Sequence, residues 1–227
     1  MQGLSHTEEQ YLYIVFKITE RNRGSASTND IAKALQTTAA SVTDMIKRLS
    51  EKGYLNYKKY HGVQLSAQGV RTATQLIRNK RLWKVFLNQK LHIPWDRINH
   101  AAEQLKHIHS DELIFALSQF LGDPKYDPHG EAIPNAEGKF TLRKQISLFQ
   151  LHKNQEAILV GVRNHESEFL QFLHKTDLVL GCKIKVLNSH DFDFSKEILV
   201  NDSKRVLLSA KICHELYVRQ SLPSAIA

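Results

Sequence analysis

Three linked elements near the amino terminus constrain this chain most: a short capped helix, a second helix three residues on, and a basic hairpin directly after it. Ser27-Thr28-Asn29-Asp30 leads into Ile31-Ala32-Lys33-Ala34-Leu35, whose Ile31 and Leu35 face inward. After Gln36-Thr37-Thr38, a helix is expected over residues 39–52, with Val42, Met45, Ile46 and Leu49 on its inner face and Gly53 as its stop. Leu55, Tyr57, Val63 and Leu65 then alternate around a turn at His61-Gly62, the pattern of a two-stranded wing. Two helices joined by a short polar turn form a helix-turn-helix, so the segment reads as a winged helix-turn-helix that binds double-stranded DNA. The expected contacts are Thr37, Thr38, Ala39 and Ala40 at the turn and helix start, Ser41, Thr43, Asp44, Lys47 and Arg48 on the outer helix face, and Lys58, Lys59, Tyr60 and His61 in the wing.

Upstream, Tyr11, Ile14, Val15 and Ile18 place one apolar stripe on a helix over residues 7–21, with Thr7 as N-cap and Glu8 and Glu9 in its first turn. Downstream, apolar periodicity predicts helices over residues 70–91, 98–108 and 111–121. Their apolar faces exceed what one small DNA-binding unit can cover, which points to a dimerisation layer and a two-fold operator. Residues 122–138 carry Pro124, Pro128, Pro134 and Gly130 and read as a boundary. Beyond it come strand-like runs at residues 157–162, 182–187, 196–200 and 204–209, with a helix around residues 168–173 and the spacing of a small β-barrel. The expected division is 1–69, 70–140 and 141–227: mainly α, with a small β domain last.

Charge supports a polyanionic partner. The net charge is +8, and between Glu51 and Asp96 there is no acidic residue while lysines and arginines recur from Lys52 to Lys90. Cys182 and Cys213 lack metal-type spacing and read as buried or idle thiols. There is no His-Glu-x-x-His, no Gly-x-Ser-x-Gly and no phosphate-binding glycine loop, and the mixed polar run at residues 107–112 would point in different directions on a helix, so no catalysis is expected. With no membrane-length apolar run and no secretory pattern at the start, the expected location is the cytoplasm.

On these stretches, together with Thr7-Glu8-Glu9-Gln10-Tyr11-Leu12 and Gly122-Asp123-Pro124-Lys125-Tyr126-Asp127-Pro128-His129-Gly130, the sequence resembles the iron- and manganese-dependent repressors of the diphtheria-toxin-repressor type. Residues 168–181 look like that family's SH3-like module. The resemblance implies a homodimer that binds a palindromic operator when divalent manganese or iron joins its DNA-binding and dimerisation regions. Checked one by one, the implied metal ligands are altered. Gln10 stands where relatives carry Asp or Met, Tyr13 where the manganese branch carries Glu, Lys80 at a histidine position, and Lys106 at the middle position of Glu-x-x-Glu-His, of which Glu103 and His107 remain. At the implied second site Lys84 replaces an acid and Asn99 a histidine, while Glu168 and Gln171 match.

An ammonium has no lone pair to donate to a metal, and at about 4 Å it repels a like charge by on the order of 4 kcal/mol. Three readings follow. Lys80 and Lys106 replace the metal by pairing with Glu103 and Glu9; or metal control continues through a relocated site using His100, Glu103, His107 or others among the chain's 12 histidines; or the old site is a solvated charge cluster.

Overall fold

The computed structural model describes residues 3–22, 24–58 and 62–220. The described chain forms two compact units that interleave in sequence: Met1–Trp83, Glu103–Phe120 and Ile133–Phe140 in the first, Lys84–Ala102, Leu121–Ala132 and Thr141–Ala227 in the second.

The first unit opens with α1 (His6–Asn22). Its cap is Ser5 rather than the expected Thr7, two residues earlier: the Ser5 hydroxyl accepts from the Glu8 amide at 3.3 Å and the Glu8 carboxylate accepts from the Ser5 amide at 3.0 Å, a reciprocal box. Ser27 caps α2 (Thr28–Leu35), and Gln36 in the left-handed region ends it. Thr38 caps α3 (Ala39–Glu51). Strands β1 (Leu55–Lys58) and β2 (Gly62–Leu65) pair antiparallel with Leu55 opposite Leu65 and Tyr57 opposite Val63, the alternation expected of the wing. Ala26 extends the ladder through a bridge to Val63. Leu12, Val15, Ile31, Val42, Ile46, Leu49 and Val63 are fully buried together, so one core fixes both helices of the motif and its wing.

The long helix α4 (Ala67–Gln89) follows, then α5 (Ile98–Leu105) and α6 (Asp111–Phe120). The helix expected over 98–108 therefore stops three residues early. Buried Asn79 donates to the carbonyls of Lys106 and Ile108 at 3.3 and 3.2 Å, satisfying groups that helix continuation would otherwise engage.

The second unit centres on an antiparallel sheet of β3 (Ile146–Ser147), β4 (Glu156–Val162), β5 (Lys183–Ser189), β6 (Lys196–Val200), β7 (Lys204–Leu208) and β8 (Leu216–Gln220), ordered β3-β8-β4-β5-β6-β7. The four expected strands correspond to β4, β5, β6 and β7. Helix α8 (Ala210–Glu215) and strands β3 and β8 were not foreseen. Helix α7 (Ser167–Lys175), the inward side chains of the sheet and Cys213 close an SH3-like core. Burial pushes both thiols, Cys182 and Cys213, up to about 11, which leaves them protonated and unreactive at neutral pH. Among the described residues no helix is long and apolar enough to cross a membrane.

Candidate functional site

The amino-terminal end of α3 is open: Gln36 through Ser41 are all exposed, followed on the same helix by exposed Asp44, Lys47 and Arg48. Ala39 and Ala40 add only methyl groups, so nothing bulky shields the first amides of α3, where the helix dipole attracts phosphate. Thr38 and Ser41 share a hydrogen bond of 2.9 Å, and the Thr43 hydroxyl donates to the Ala39 carbonyl at 2.8 Å. These hydroxyls are thus held in place and keep lone pairs for a base edge. Lys59, Tyr60 and His61 lie outside the described residues, as does the side chain of Lys58.

Behind this surface, α1 presents Glu9, Gln10 and Tyr13 on adjacent turns. The Glu103 carboxylate is held on both oxygens: Lys80 Nζ is 2.5 Å from Oε2, and Lys106 Nζ pairs with Oε1. Lys106 also donates to Gln10 Oε1 and sits 4.1 Å from the Tyr13 ring centroid. Lys80 reaches the Tyr13 hydroxyl at 3.4 Å. Burial would raise the Glu103 pKa, but the Lys80 charge and the hydrogen bonds from both lysines outweigh it and hold the carboxyl at about 2. Burial pushes the wholly buried Lys106 ammonium below its usual range, and Glu103 opposes that shift.

His107 and His109 lie beyond the end of α5, and both engage buried Glu9: His107 Nδ1 meets Oε2, and His109 Nε2 is 2.6 Å from Oε1. His6 stacks on His107 with ring centroids 4.4 Å apart. The role of His109 was not foreseen, because it lies 100 residues from Glu9 in sequence. His6, Gln10, Glu103 and His107 border a cavity of about 720 Å³ that extends to Leu35 and Thr37 in the turn before α3. The cavity thus adjoins both the lysine cluster and the candidate DNA-reading turn.

In the second unit, the four residues expected at a second metal site do not converge on a shared ligand. Lys84 is buried and donates to Asp127, Glu131 and His129. Gln171 donates to Asp96 at 3.0 Å, Asn99 is half-buried, and Glu168 is exposed. Burial pushes the Asp96 pKa up, and the bonds from Gln171 and Ser167 bring it below its ordinary value.

Comparison with known proteins divides the chain into three matched stretches. Residues 3–63 match the iron dependent repressor N-terminal DNA binding domain, residues 66–135 the iron dependent repressor metal binding and dimerisation domain, and residues 146–220 the FeoA domain. The HTH-type transcriptional regulator MntR of Lysinibacillus sphaericus is 34% identical over 102 residues, 45% of this chain and 68% of that protein. An uncharacterized HTH-type transcriptional regulator of Methanocaldococcus jannaschii is 30% identical over 118 residues, 52% of this chain and 94% of that one. A probable metal transport system membrane protein of Chlamydia trachomatis is 31% identical over 60% of this chain, which spans only 31% of its length. Among solved structures, a manganese-dependent transcriptional repressor in complex with manganese matches with a TM-score of 0.85 at 24% identity, over 94% of this chain and 100% of that one, which speaks to the fold. ScaR with bound Cd2+ matches with a TM-score of 0.76 at 28% identity, over 94% and 99%.

Proposed function

Because this chain belongs to the iron-dependent transcriptional repressor family, we propose that it is a homodimeric DNA-binding repressor in which the ammonium groups of Lys80 and Lys106 do the work of the primary metal ion. The observation that carries this reading is the Glu103 carboxylate, whose two oxygens are each taken by a lysine. A divalent manganese or ferrous ion needs carboxylate and imidazole lone pairs aimed at one point. Here Gln10 and Glu103 already accept from ammonium groups, and Glu9 is engaged by two histidines. As they stand, no three His, Cys, Asp or Glu side chains among the described residues converge to hold a metal. The donor set therefore does not fit the ion that the family resemblance implies.

On this reading residues 1–69 read a palindromic operator in the cytoplasm through Thr37–Arg48 and the wing, residues 70–140 join two copies, and residues 141–227 form an accessory module. The exposed side chains of Leu113, Phe115 and Phe120 on α6 support the joining role. A second reading keeps manganese or iron control through a relocated site, and it is favoured by Glu9, buried between His107 and His109.

The test is selection of operator duplexes from a random pool by the purified protein, followed by affinity measurement in excess chelator and with manganese, ferrous iron or zinc. Equal affinity throughout is expected; loss in chelator that metal restores would sink the lysine reading and favour the second. Lys106→Glu is expected to weaken chelator-resistant binding by about 100-fold, since a second carboxylate then faces Glu103 and only Lys80 is left to offset the pair.

A further inference from the structure

The second unit contains a cation cage of its own, in which Lys84, one of the altered metal positions, is ringed by Asp127, His129 and Glu131, which are not among them. Lys84 leaves α4 and its ammonium donates to Asp127 Oδ2 at 2.8 Å, Glu131 Oε2 at 3.1 Å and His129 Nδ1 at 3.1 Å. Those three acceptors match the three protons of an ammonium. The Lys84 side chain is 1% exposed, Asp127 is wholly buried, and Glu131 is 22% exposed.

Two walls of the cage, Asp127 and His129, are fixed by the backbone. The second oxygen of Asp127 accepts from the amides of His129 and Glu131 at 2.9 and 3.0 Å. His129 gives its Nε2 proton to the Trp95 carbonyl at 2.8 Å, which leaves Nδ1 as the lone-pair side that faces Lys84. The loop is held against β4 by the hydrogen bond from the Val162 amide to the His129 carbonyl, 3.0 Å. Gly130 makes that approach feasible: its φ is +82°, and a Cβ there would lie 2.1 Å from the Val160 carbonyl oxygen. Arg143 ties down the carbonyls of Gly130 and Val160 from the other side.

Two carboxylates and an imidazole lone pair preoriented around one point are the donor chemistry of a zinc or manganese site. With the ammonium seated, the donors stand at hydrogen-bond range, about 1 Å farther out than metal ligands. We propose that Asp127, His129 and Glu131 form a cation-binding cage whose resident cation is Lys84, and that removing the lysine side chain converts it into a divalent-metal site. The partly exposed Glu131 supplies the entry path. This inference concerns the second unit alone and stands or falls independently of the lysine reading at Glu103.

The test uses full-length Lys84→Ala, with zinc alone as the probe. In chelator, the variant is expected to unfold about 10 °C below the unsubstituted protein, because buried Asp127 and partly exposed Glu131 both lose the Lys84 ammonium. Zinc should raise that midpoint by about 5 °C or more. Zinc binding elsewhere on a chain with 12 histidines is separated by Lys84→Ala/Asp127→Asn, in which the rise should disappear. An unchanged midpoint in chelator, or an equal zinc response in the single and double variants, overturns the proposal. Should Lys84→Ala yield no folded protein in chelator, refolding with zinc decides: recovery with one bound equivalent supports the cage, and failure to recover overturns it.

Discussion

Both units set lysine ammonium groups against carboxylates, and the two settings differ in how far water is kept out. In the first, Glu103 is shared by Lys80 and Lys106 and keeps 36% of its side chain exposed. In the second, Lys84 and Asp127 are sealed almost completely. Removing one partner of a buried pair strands a charge in low dielectric, whereas an exposed partner is rehydrated. Similar pairs thus serve different ends: the cage around Lys84 fixes a loop against a strand, while the Glu103 cluster borders a cavity that reaches the candidate DNA-reading turn.

The sharpest way to break this contrast is Asp127→Ala. It takes from the Lys84 ammonium its buried counter-charge, leaving only the partly exposed Glu131, and frees two backbone amides, and should cost about 4 kcal/mol, a fall in midpoint of about 10 °C. Glu103→Ala should cost less than half as much. Thermal unfolding of both variants at neutral pH checks the order, and equal losses would show that burial does not separate the two clusters.

The next largest effect is a pH window. Burial and the Lys84 charge hold His129 down at about 4, below the ordinary histidine value, so between about pH 6.5 and 4 the unfolded chain binds a proton that the folded one refuses. Stability from this source is complete above that window and is lost as the pH falls through it, by on the order of 3 kcal/mol. His165, stacked at 4.5 Å, shifts in the same direction because it too is buried. His129→Gln should flatten the stability profile between pH 6.5 and 4 when denaturant unfolding is followed across the range; an unflattened profile would mean that His129 is protonated in the folded cage.

These two clusters were unequally legible in sequence. Local periodicity and capping residues were enough for α2, α3 and the wing, because each signal lies within a few residues. The strands β4 to β7 were visible as apolar runs, but β8 follows α8 without a turn signal and ends in Arg219-Gln220, which hides it. Glu103 and Lys106 lie three apart and were readable together, and Lys80 joined them only through the resemblance. The partners of Lys84 lie 43 to 47 residues away, inside a stretch whose Pro and Gly read as a boundary. Nothing local announces such a cage: the same residues that make a tight turn also make a site once the turn is pressed against a strand.

The smallest effect sharpens the comparison from the first unit's side. Glu103 is held at about 2, below the unfolded carboxylate value near 4.5, because its two lysines stabilise the charged form more than burial opposes it. A depressed carboxylate contributes stability that is complete above about pH 4.5 and disappears as the pH falls toward 2, a window below that of His129. Since Glu103 is partly exposed, water screens the pair, and the contribution should be about 1 kcal/mol rather than the full value of the shift. Glu103→Gln should therefore leave the profile above pH 4.5 parallel to that of the unsubstituted protein and flatten it only below, read by urea unfolding at each pH. Raising the salt concentration should shrink this difference while leaving the His129 window in place, because mobile ions reach the partly exposed Glu103 more readily than buried Lys84, Asp127 and His129. Equal salt sensitivity in the two windows would mean that the Glu103 cluster is as dry as the cage around Lys84.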